Sequence, residues 1–292
     1  MMTIYLNGRS LALFAVIISF AALHVNASEI VWYKPEFPPL SIVNGPDAGK
    51  GYSDKIEKYL IENLTEYEHR VLISPFKRTV RDMKKGVNGC SVTLLKTRER
   101  EAFIKFSRPA RLLLPNSLII RKKDLQAFAP FERDNGKVSV EKLIQSGQFR
   151  IGYSNGRSYT KPLDALLTTY KDSSALVERL GNEGPKGLLF MLDKGYIDAM
   201  FAQPVEAQFH SRREAFSDKF TSLPIAEITD YTVGYIGCSD TEWGRQVISK
   251  IDVLLNIAVK TPEFRSFYEE FLDEASLVRY RKIYDGFFHP GW

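Results

Sequence analysis

The sequence predicts an α/β protein built from two units, and three observations support that prediction. Short apolar segments alternate with segments whose apolar residues recur at helical spacing, a pattern typical of a largely parallel sheet flanked by helices. The alternation runs through the first third of the chain and begins again near residue 138. The length of 292 residues suits roughly two domains, and 44% hydrophobic with 26% charged residues indicates a globular chain with a substantial core.

The first unit is predicted to alternate three strands with two helices. Proline ends the first strand, at Pro35 and again at Pro38-Pro39, because proline has no backbone N–H to donate to a sheet. Asp54 is assigned to capping the first helix rather than to ligand contact, and Gly86 ends the second helix. The predicted strands are 30–34, 70–74 and 90–94, and the predicted helices begin near 53 and at 76.

The second unit is predicted to lie between an apolar strand that leaves the first unit and a strand that returns to it. In chain order, the predicted elements are the leaving strand 111–122, a helix at 138–146, a strand at 149–153, a helix that follows residue 158 and runs to 167, a helix at 187–192, a strand within 195–203 and the returning strand 232–236. Two amphipathic helices follow, at 243–259 and from Thr261-Pro262.

The first 27 residues are predicted to be a cleaved secretory signal. Arg9 supplies a positive charge, Leu11 to Leu23 is an apolar run that is short for a bilayer span, and Val25-Asn26-Ala27 fits the small-x-small rule for cleavage near Ala27. An uncleaved membrane anchor is the alternative. Export through this signal would place the protein in the periplasm.

Charge and cysteine content limit the classes of function. The formal net charge is +5, and Lys and Arg are scattered rather than clustered, so the sequence gives no support for nucleic-acid binding. The four His and two Cys match no zinc-ligand spacing, and no metal or cofactor is predicted. In an oxidising compartment Cys90 and Cys238 can form a disulfide, and two buried free thiols are the alternative.

The segment Thr97–Pro109, TREREAFIKFSRP, contains the residues most indicative of function. A Thr hydroxyl and an Arg guanidinium on one turn can share a carboxylate, because the hydroxyl gives one donor and the planar guanidinium two. The pattern Thr-x-x-Arg followed by Phe-Ser-x-Pro resembles the signature of periplasmic solute-binding proteins of the amino-acid-binding type (bacterial extracellular solute-binding family 3). By that resemblance, Thr97 and Arg100 bind the carboxylate of a ligand. The alternative is a solvated, charge-paired helix start formed by Arg98, Glu99 and Arg100.

Two more candidate ligand residues lie in the first unit. The stretch KPEFPPL at 34–40 resembles the aromatic-Pro-Pro turn of the same family, in which the aromatic leans over the ligand, so Phe37 is a candidate and simple loop packing is the alternative. Arg78 is a candidate because helix N-termini favour anions, and a solvated surface arginine is the alternative. Ligands of parallel sheets bind beyond the carboxyl ends of the strands, so Phe37, Thr97 and Arg100 are expected at one edge.

The turn after the predicted strand 149–153 is the first candidate region of the second unit. Residues 154–159, SNGRSY, offer backbone N–H groups and hydroxyls to an anion at a helix start. By the resemblance, the second lobe grips the carboxylate here, and an ordinary helix cap is the alternative for the second serine. The candidates are Asn155, Gly156, Arg157 and Ser158.

A departure from the family pattern occurs at Gln203. Residues 195–203, GYIDAMFAQ, resemble the family's Gly-x-Val-Asp-Ala strand, whose residue five past the Asp is an acid that holds the ligand's ammonium. Gln203 stands at that place, and an amide accepts a hydrogen bond without neutralising a buried cation. The departure argues against a simple α-amino acid as ligand, while Gln203 remains a candidate contact.

The resemblance extends from Ile30 to about Phe271 and implies a type II periplasmic-binding-protein fold, in which two lobes are joined by two crossing strands. Lobe 1 is expected at 28–112 and 238–292, and lobe 2 at 113–237. Such a protein binds its ligand by hinge closure. The expected function is capture of a small polar, carboxylate-bearing metabolite by a monomer, for an inner-membrane transporter or a sensor ectodomain, without catalysis.

Two other functions stay open. Periplasmic dehydratases that act on carboxylated ring substrates share this fold, and Glu99 or Glu101 beside Arg100 would then supply the acid or base. The other function is that of a protein that has lost its ligand and serves only as an interaction partner, which the departure at Gln203 leaves open.

Overall fold

The computed structural model describes residues 28–133, 136–181, 184–214, 216 and 218–289, and the predicted signal at 1–27 lies outside them. Within these ranges the chain forms two five-stranded sheets flanked by helices, with a two-stranded pair between them. The predicted α/β class with two lobes and two crossing strands is confirmed. None of the described helices combines the length and apolar composition that a membrane span requires.

The strands and helices of the described residues have the following bounds. The strands are β1 (Glu29–Lys34), β2 (Glu68–Ile73), β3 (Cys90–Ser91), β4 (Ile104–Phe106), β5 (Arg111–Leu113), β6 (Ser117–Arg121), β7 (Ile151–Ser154), β8 (Leu176–Arg179), β9 (Ala199–Ala202), β10 (Phe220–Leu223), β11 (Thr232–Gly234) and β12 (Gly237–Ser239). The helices are α1 (Tyr52–Asn63), α2 (Phe76–Lys84), α3 (Leu125–Phe128), α4 (Val140–Ser146), α5 (Lys161–Thr169), α6 (Gly184–Asp193), α7 (Pro204–Arg213), α8 (Glu242–Ala258), α9 (Pro262–Glu269) and α10 (Glu274–Phe288). Short 3₁₀ turns lie at Arg100–Ala102, Lys122–Asp124 and Ala129–Phe131.

The first sheet has the strand order β2-β1-β3-β12-β4. Strand β1 pairs in parallel with β2 and β3, and β12 pairs antiparallel with β3 and β4. The apolar faces of β1 and α8 meet in one buried cluster, in which Ile30 and Trp32 contribute alongside Val247 and Ile251. The three parallel strands therefore end at the same edge of this sheet, which is where a ligand of such a sheet binds.

The second sheet has the order β10-β6-β9-β7-β8. Strand β7 pairs in parallel with β8 and β9, whereas β6 pairs antiparallel with β9 and β10. Leu118 and Ile120 of β6 belong to one buried cluster and Ile119 to another, so helices cover both faces of the sheet. Burial on both faces explains why this strand reads as a continuous apolar run rather than as an alternation.

The connection between the sheets corrects the predicted strand 111–122. It consists of two strands, β5 and β6, separated by Leu114–Asn116, and Pro115 interrupts the ladder because it lacks an N–H. Strand β5 pairs antiparallel with β11, with Arg111 opposite Gly234. This two-stranded pair joins the two sheets.

Several other predicted boundaries need correction. The third strand is Cys90–Ser91 rather than 90–94, and α5 begins at Lys161 rather than directly after Ser158. Thr160 caps that helix, since its Oγ1 accepts from Leu163 N at 3.4 Å. The sequence patterns did not predict β8, β12 or α10, because two of them are strands of three or four residues and α10 follows directly on the aromatic helix before it.

The C-terminal helices form hydrogen bonds with the backbone of the segment that begins with crossing strand β5. Tyr268 of α9 accepts a hydrogen bond at its Oη from Leu114 N at 2.9 Å, and Tyr280 of α10 donates its hydroxyl to Leu112 O at 3.3 Å. Asp273, which precedes α10, accepts from Ser222 N in β10 at 3.3 Å. The C-terminal segment therefore contacts both the crossing strand β5 and the second sheet.

A disulfide joins the two parts of the chain that build the first sheet. Cys90 of β3 and Cys238 of β12 are register partners, and their Sγ atoms form a bond of 2.01 Å. Both residues are fully buried. The bond ties the segment before the crossing strands to the segment after them.

Replacing both cysteines by alanine is expected to lower the free energy of unfolding by about 2–4 kcal/mol, because the bond joins residues 148 apart and restricts the unfolded chain. Urea unfolding monitored by tryptophan fluorescence measures the difference. Wild-type protein under reducing conditions is the control and should match the double variant. Equal stability of the oxidised wild type and the variant would contradict the prediction.

Candidate functional site

The predicted ligand residues follow the carboxyl ends of strands in both sheets. Phe37 follows β1, Thr97 and Arg100 follow β3, and Gln203 follows β9 directly. Asn155–Ser158 follows β7 in the same way. In each sheet these strands are parallel, so the residues of each group lie at one edge of their sheet.

Phe37 stands at the tip of a closed turn and is half-exposed. The Phe37 backbone N donates to Ser41 O at 2.9 Å, and the Ser41 backbone N donates to Phe37 O at 3.0 Å. The ring meets Phe76, the first residue of α2, edge to face at 5.9 Å between centroids, and 47% of Phe37 remains accessible. Arg78, one turn into α2, pairs with Asp82 at 3.5 Å between Nε and Oδ2, a contact along the helix surface.

Asp54 holds the Phe37 loop against the start of α1. Its Oδ2 accepts from Gly51 N and from Ile42 N, both at 2.9 Å, and its Oδ1 accepts from Ser41 Oγ at 2.9 Å. The side chain is buried, so each of these bonds replaces one that water would otherwise supply. Asp54 therefore caps α1 from its third position, by accepting from the N-cap residue Gly51, and it also holds residues 41–42, which follow the Phe37 turn, against the start of the helix.

Glu57 and Lys34 complete this buried network. Lys34 Nζ lies 2.7 Å from Glu57 Oε1 and 3.2 Å from Asp54 Oδ1. Burial disfavours the charged carboxylate and outweighs the attraction of Lys34, which raises the pKa of Glu57 to about 7. The network that holds the Phe37 loop therefore includes, through Lys34, a carboxyl group whose pKa is raised to about 7.

Replacing Glu57 by glutamine tests whether this carboxyl group makes the stability of the protein depend on pH. A folded-state pKa of about 7 lies above the ordinary 4.5, so the Glu57 contribution to stability is lost as pH rises from about 4.5 to 7. The melting temperature of Glu57→Gln should therefore fall less than that of the wild type between pH 5 and pH 8. Glu62→Gln, at an exposed position of the same helix, should follow the wild type. Parallel curves for Glu57→Gln and the wild type would contradict the assignment.

Thr97 and Arg100 form one compact turn. Thr97 Oγ1 accepts from Arg100 N at 3.3 Å, and Arg100 Nη1 donates to Leu95 O at 2.7 Å. Lys96 pairs with Glu101 across the turn at 3.0 Å. The bond to Leu95 O fixes one nitrogen of the Arg100 guanidinium, and the flanking ion pair belongs to the solvated surface.

The four candidates after β7 make contacts within the second lobe. Asn155 Nδ2 donates to Glu178 Oε1 at 2.6 Å, and Ser158 Oγ donates to Asp164 Oδ2 at 2.6 Å. Gly156 has φ of +68°, a left-handed conformation that favours glycine. Ser158 is therefore not the cap of α5.

Arg157 and Gln203 converge on Glu206, which the sequence analysis missed. Glu206 is buried in the first turn of α7, and its Oε2 accepts from Arg157 Nη2 at 2.7 Å and from Gln203 N at 3.0 Å. Burial opposes the charge of Arg157, but the Glu206 carboxylate outweighs it and raises the Arg157 pKa. The spacing of Gln203 and Glu206 is that of a capping box, and that spacing was the available signal.

Helix α7 also contacts the first lobe. Arg213 Nη1 lies 3.3 Å from Asp47 Oδ2, and Arg212 Nη1 donates to Glu270 O at 2.6 Å. A pocket of about 390 Å³ lies between these groups. The two lobes thus meet at this pocket through an ion pair and a hydrogen bond, each of which contributes little to stability at an exposed position.

Comparison with known proteins identifies the architecture. No protein-family model matches the sequence, and no curated protein matches it. Among solved structures, the second substrate-binding domain of GlnP from Lactococcus lactis is 15% identical with a TM-score of 0.60, over 85% of this chain and 96% of that one. The chain has the two-lobed fold of amino-acid ABC transporter substrate-binding proteins.

Other structures with this fold come from transport and from sensing. A substrate-binding protein of a polar amino acid ABC uptake transporter from Streptococcus thermophilus has a TM-score of 0.62 at 15% identity, over 90% of this chain and 91% of that one. A histidine kinase sensor domain similar to periplasmic binding proteins has a TM-score of 0.53 at 14% identity, over 84% of this chain and 96% of that one. The likeness is one of fold.

Proposed function

We propose that the protein is an extracytoplasmic solute-binding protein that captures a small polar, carboxylate-bearing metabolite between its lobes. Structures that share the fold include substrate-binding proteins of amino acid ABC transporters, one of them with L-arginine bound, and the sensor domain of a histidine kinase. The bound complex would accordingly be recognised by an inner-membrane transporter or a sensor ectodomain. A cleaved signal at 1–27 would deliver the chain to the periplasm as a monomer, with lobe boundaries near 112 and 238.

The charge of the candidate site carries this proposal. The nine candidate residues include three arginines and no carboxylate, and Gln203 stands where an acid would hold an ammonium. The carboxylate beside Gln203, that of Glu206, already accepts from Arg157 and from the backbone. A ligand with a carboxylate and no free ammonium suits such a site better than a simple amino acid, because an unpaired buried charge is costly.

Capture would proceed by closure of the lobes. Thr97 and Arg100 would donate to the carboxylate from the first lobe, with Phe37 stacked over the ligand. The turn 155–158 and Gln203 would close from the second lobe. Ligand contacts made from both sides stabilise the closed form over the open one, and a partner distinguishes the two.

Replacing Arg100 by alanine is expected to weaken ligand binding by about 100-fold or more, because it removes charge-assisted bonds to the carboxylate. A thermal-shift screen of small organic acids, amino acids, polyamines and short peptides identifies the ligand, and calorimetry measures the loss. Arg98→Ala is the matched control, since Arg98 is an exposed arginine of the same segment. Unchanged affinity in Arg100→Ala would refute the role, as would a shift with cations alone.

Catalysis on the same fold is the second candidate function. Glu101 is half-exposed and paired with Lys96, and Glu99 is exposed, so each has solvent access beside Arg100. Turnover of a carboxylated ring compound, lost in Glu99→Gln or Glu101→Gln, would favour an enzyme. Stoichiometric binding without turnover would favour the solute-binding function, and absence of any binding would favour a protein that only contacts a partner.

A further inference from the structure

Arg111, the first residue of the crossing strand β5, is a buried cation that is incompletely paired within the described part of the chain. Only 4% of its surface is accessible. Among the described residues no acceptor lies within hydrogen-bond reach of its Nε or Nη1, although both atoms are buried. Most buried polar groups in folded proteins are hydrogen-bonded, and a buried arginine almost always has an anionic partner.

Arg121, a partly buried arginine of the next strand, is fully paired by comparison. Arg121 of β6 donates to Leu192 O at 2.7 Å and to Ile197 O at 2.8 Å, and it pairs with Asp124 and Asp198. Around Arg111, by contrast, the interacting groups are the phenols of three tyrosines. Burial outweighs these neighbours and lowers the Arg111 pKa. Among the described residues, no carboxylate pairs with the Arg111 guanidinium.

The backbone around Arg111 is built to accommodate its side chain. Its strand partner is Gly234 in β11, and a Cβ at residue 234 would lie 2.7 Å from both Cγ and Nε of Arg111. The Arg111 side chain therefore packs directly on Gly234, and a larger residue there would have to displace it. This arrangement places the charge between the lobes rather than inside either core.

One apolar cluster links the crossing strand that begins at Arg111 with the candidate ligand site, since it contains Leu112 and Leu113 of β5 together with Tyr52 and Val205. The charges of Arg111 and of Glu206 both act on the Tyr52 hydroxyl. Glu206 in turn accepts from Arg157 and Gln203, two candidate ligand residues. Tyr52 belongs to the first lobe and Val205, in the same apolar cluster, to α7 of the second. Separation of the lobes at this contact would give a ligand access to Arg111.

We propose that Arg111 is a second anion-binding residue of the interlobe site, whose guanidinium takes a carboxylate or another small oxyanion group. The inference rests on the proposed function and narrows it. Thr97 and Arg100 hold one carboxylate, so the ligand class becomes small molecules with two anionic groups. The planar guanidinium offers two parallel N–H donors, which match a carboxylate, sulfate or phosphate.

The first test is the stability of Arg111→Met without ligand. Methionine keeps the length of the side chain and removes a charge that no protein group compensates, so its melting temperature should equal or exceed that of the wild type. Arg121→Met is the matched control and should melt lower, since it leaves Asp198 and two carbonyls without their donor. A fall in Arg111→Met as large as that in Arg121→Met would overturn the proposal.

The second test uses succinate, butyrate and sulfate as probes at constant ionic strength. At a concentration one hundredfold above its own Kd, succinate should raise the wild-type melting temperature by about 5 °C or more. Butyrate at the same concentration should raise it by less, because it has one carboxylate. Arg111→Met should reduce the succinate response to that of butyrate. A sulfate response that is lost in Arg111→Met would support the same site with a free oxyanion as its source.

Two outcomes of the second test would overturn the proposal. One is a succinate or sulfate response in Arg111→Met equal to that of the wild type, and the other is no response of the wild type to any of the three probes. Arg100→Ala separates this inference from the proposed function. If Arg100→Ala changes nothing while Arg111→Met removes the response, the proposed role of Arg100 fails and that of Arg111 stands.

Discussion

The two crossing strands are the constraint on which the rest of the structure depends. Strands β5 and β11 pair over only three residues each, yet they connect two sheets that otherwise have separate cores. Proline at 115 ends β5 and allows the chain to enter the second sheet as β6. From the C-terminal helices, Tyr280 donates to Leu112 O in β5 and Tyr268 accepts from Leu114 N directly after β5. The Cys90–Cys238 disulfide joins the segments before and after the crossing strands. In the proposed closure, the movement between the lobes would have to occur in this short segment, which the tyrosines and the disulfide hold in place.

The candidate site follows from that arrangement. Parallel strands on both sides of the connection direct their carboxyl ends to one edge of each sheet, so loops from both lobes can share one ligand. On the first lobe, the Asp54 network fixes the Phe37 loop, and a backbone bond orients Arg100. On the second lobe, Glu206 fixes Arg157 and Gln203. Positions with fixed geometry are what a binding site requires, since less entropy is lost when the ligand arrives.

Sequence patterns predicted the fold further than the site. The architecture could be predicted from apolar segments such as 30–34, from the helical spacing along α8 and from the two crossing segments. Burial of one face of a helix or of a strand imposes the spacing of its apolar residues directly, so that spacing is readable in the sequence. Short strands such as β8 and β12 lie below the length at which a period is readable. Ser158 was a plausible cap, but Thr160 serves because Pro162 suits the first turn of α5. Glu206 was missed although its capping-box spacing from Gln203 was readable, because its bond to Arg157 is a tertiary contact. Arg111 was missed because a single charged residue beside an apolar run carries no signal of its burial.

The central claim is that the lobes enclose a ligand through its negative charge, and calorimetry with matched pairs of compounds tests it most directly. Each small carboxylic acid of a panel is titrated into the purified chain beside its own uncharged amide, which has nearly the same size and shape. We expect at least one acid to bind with one molecule per chain and its amide to bind about 100-fold more weakly, since the amide forfeits charge-assisted bonds. Equal binding of an acid and its amide would contradict the claim, because shape rather than charge would then decide recognition.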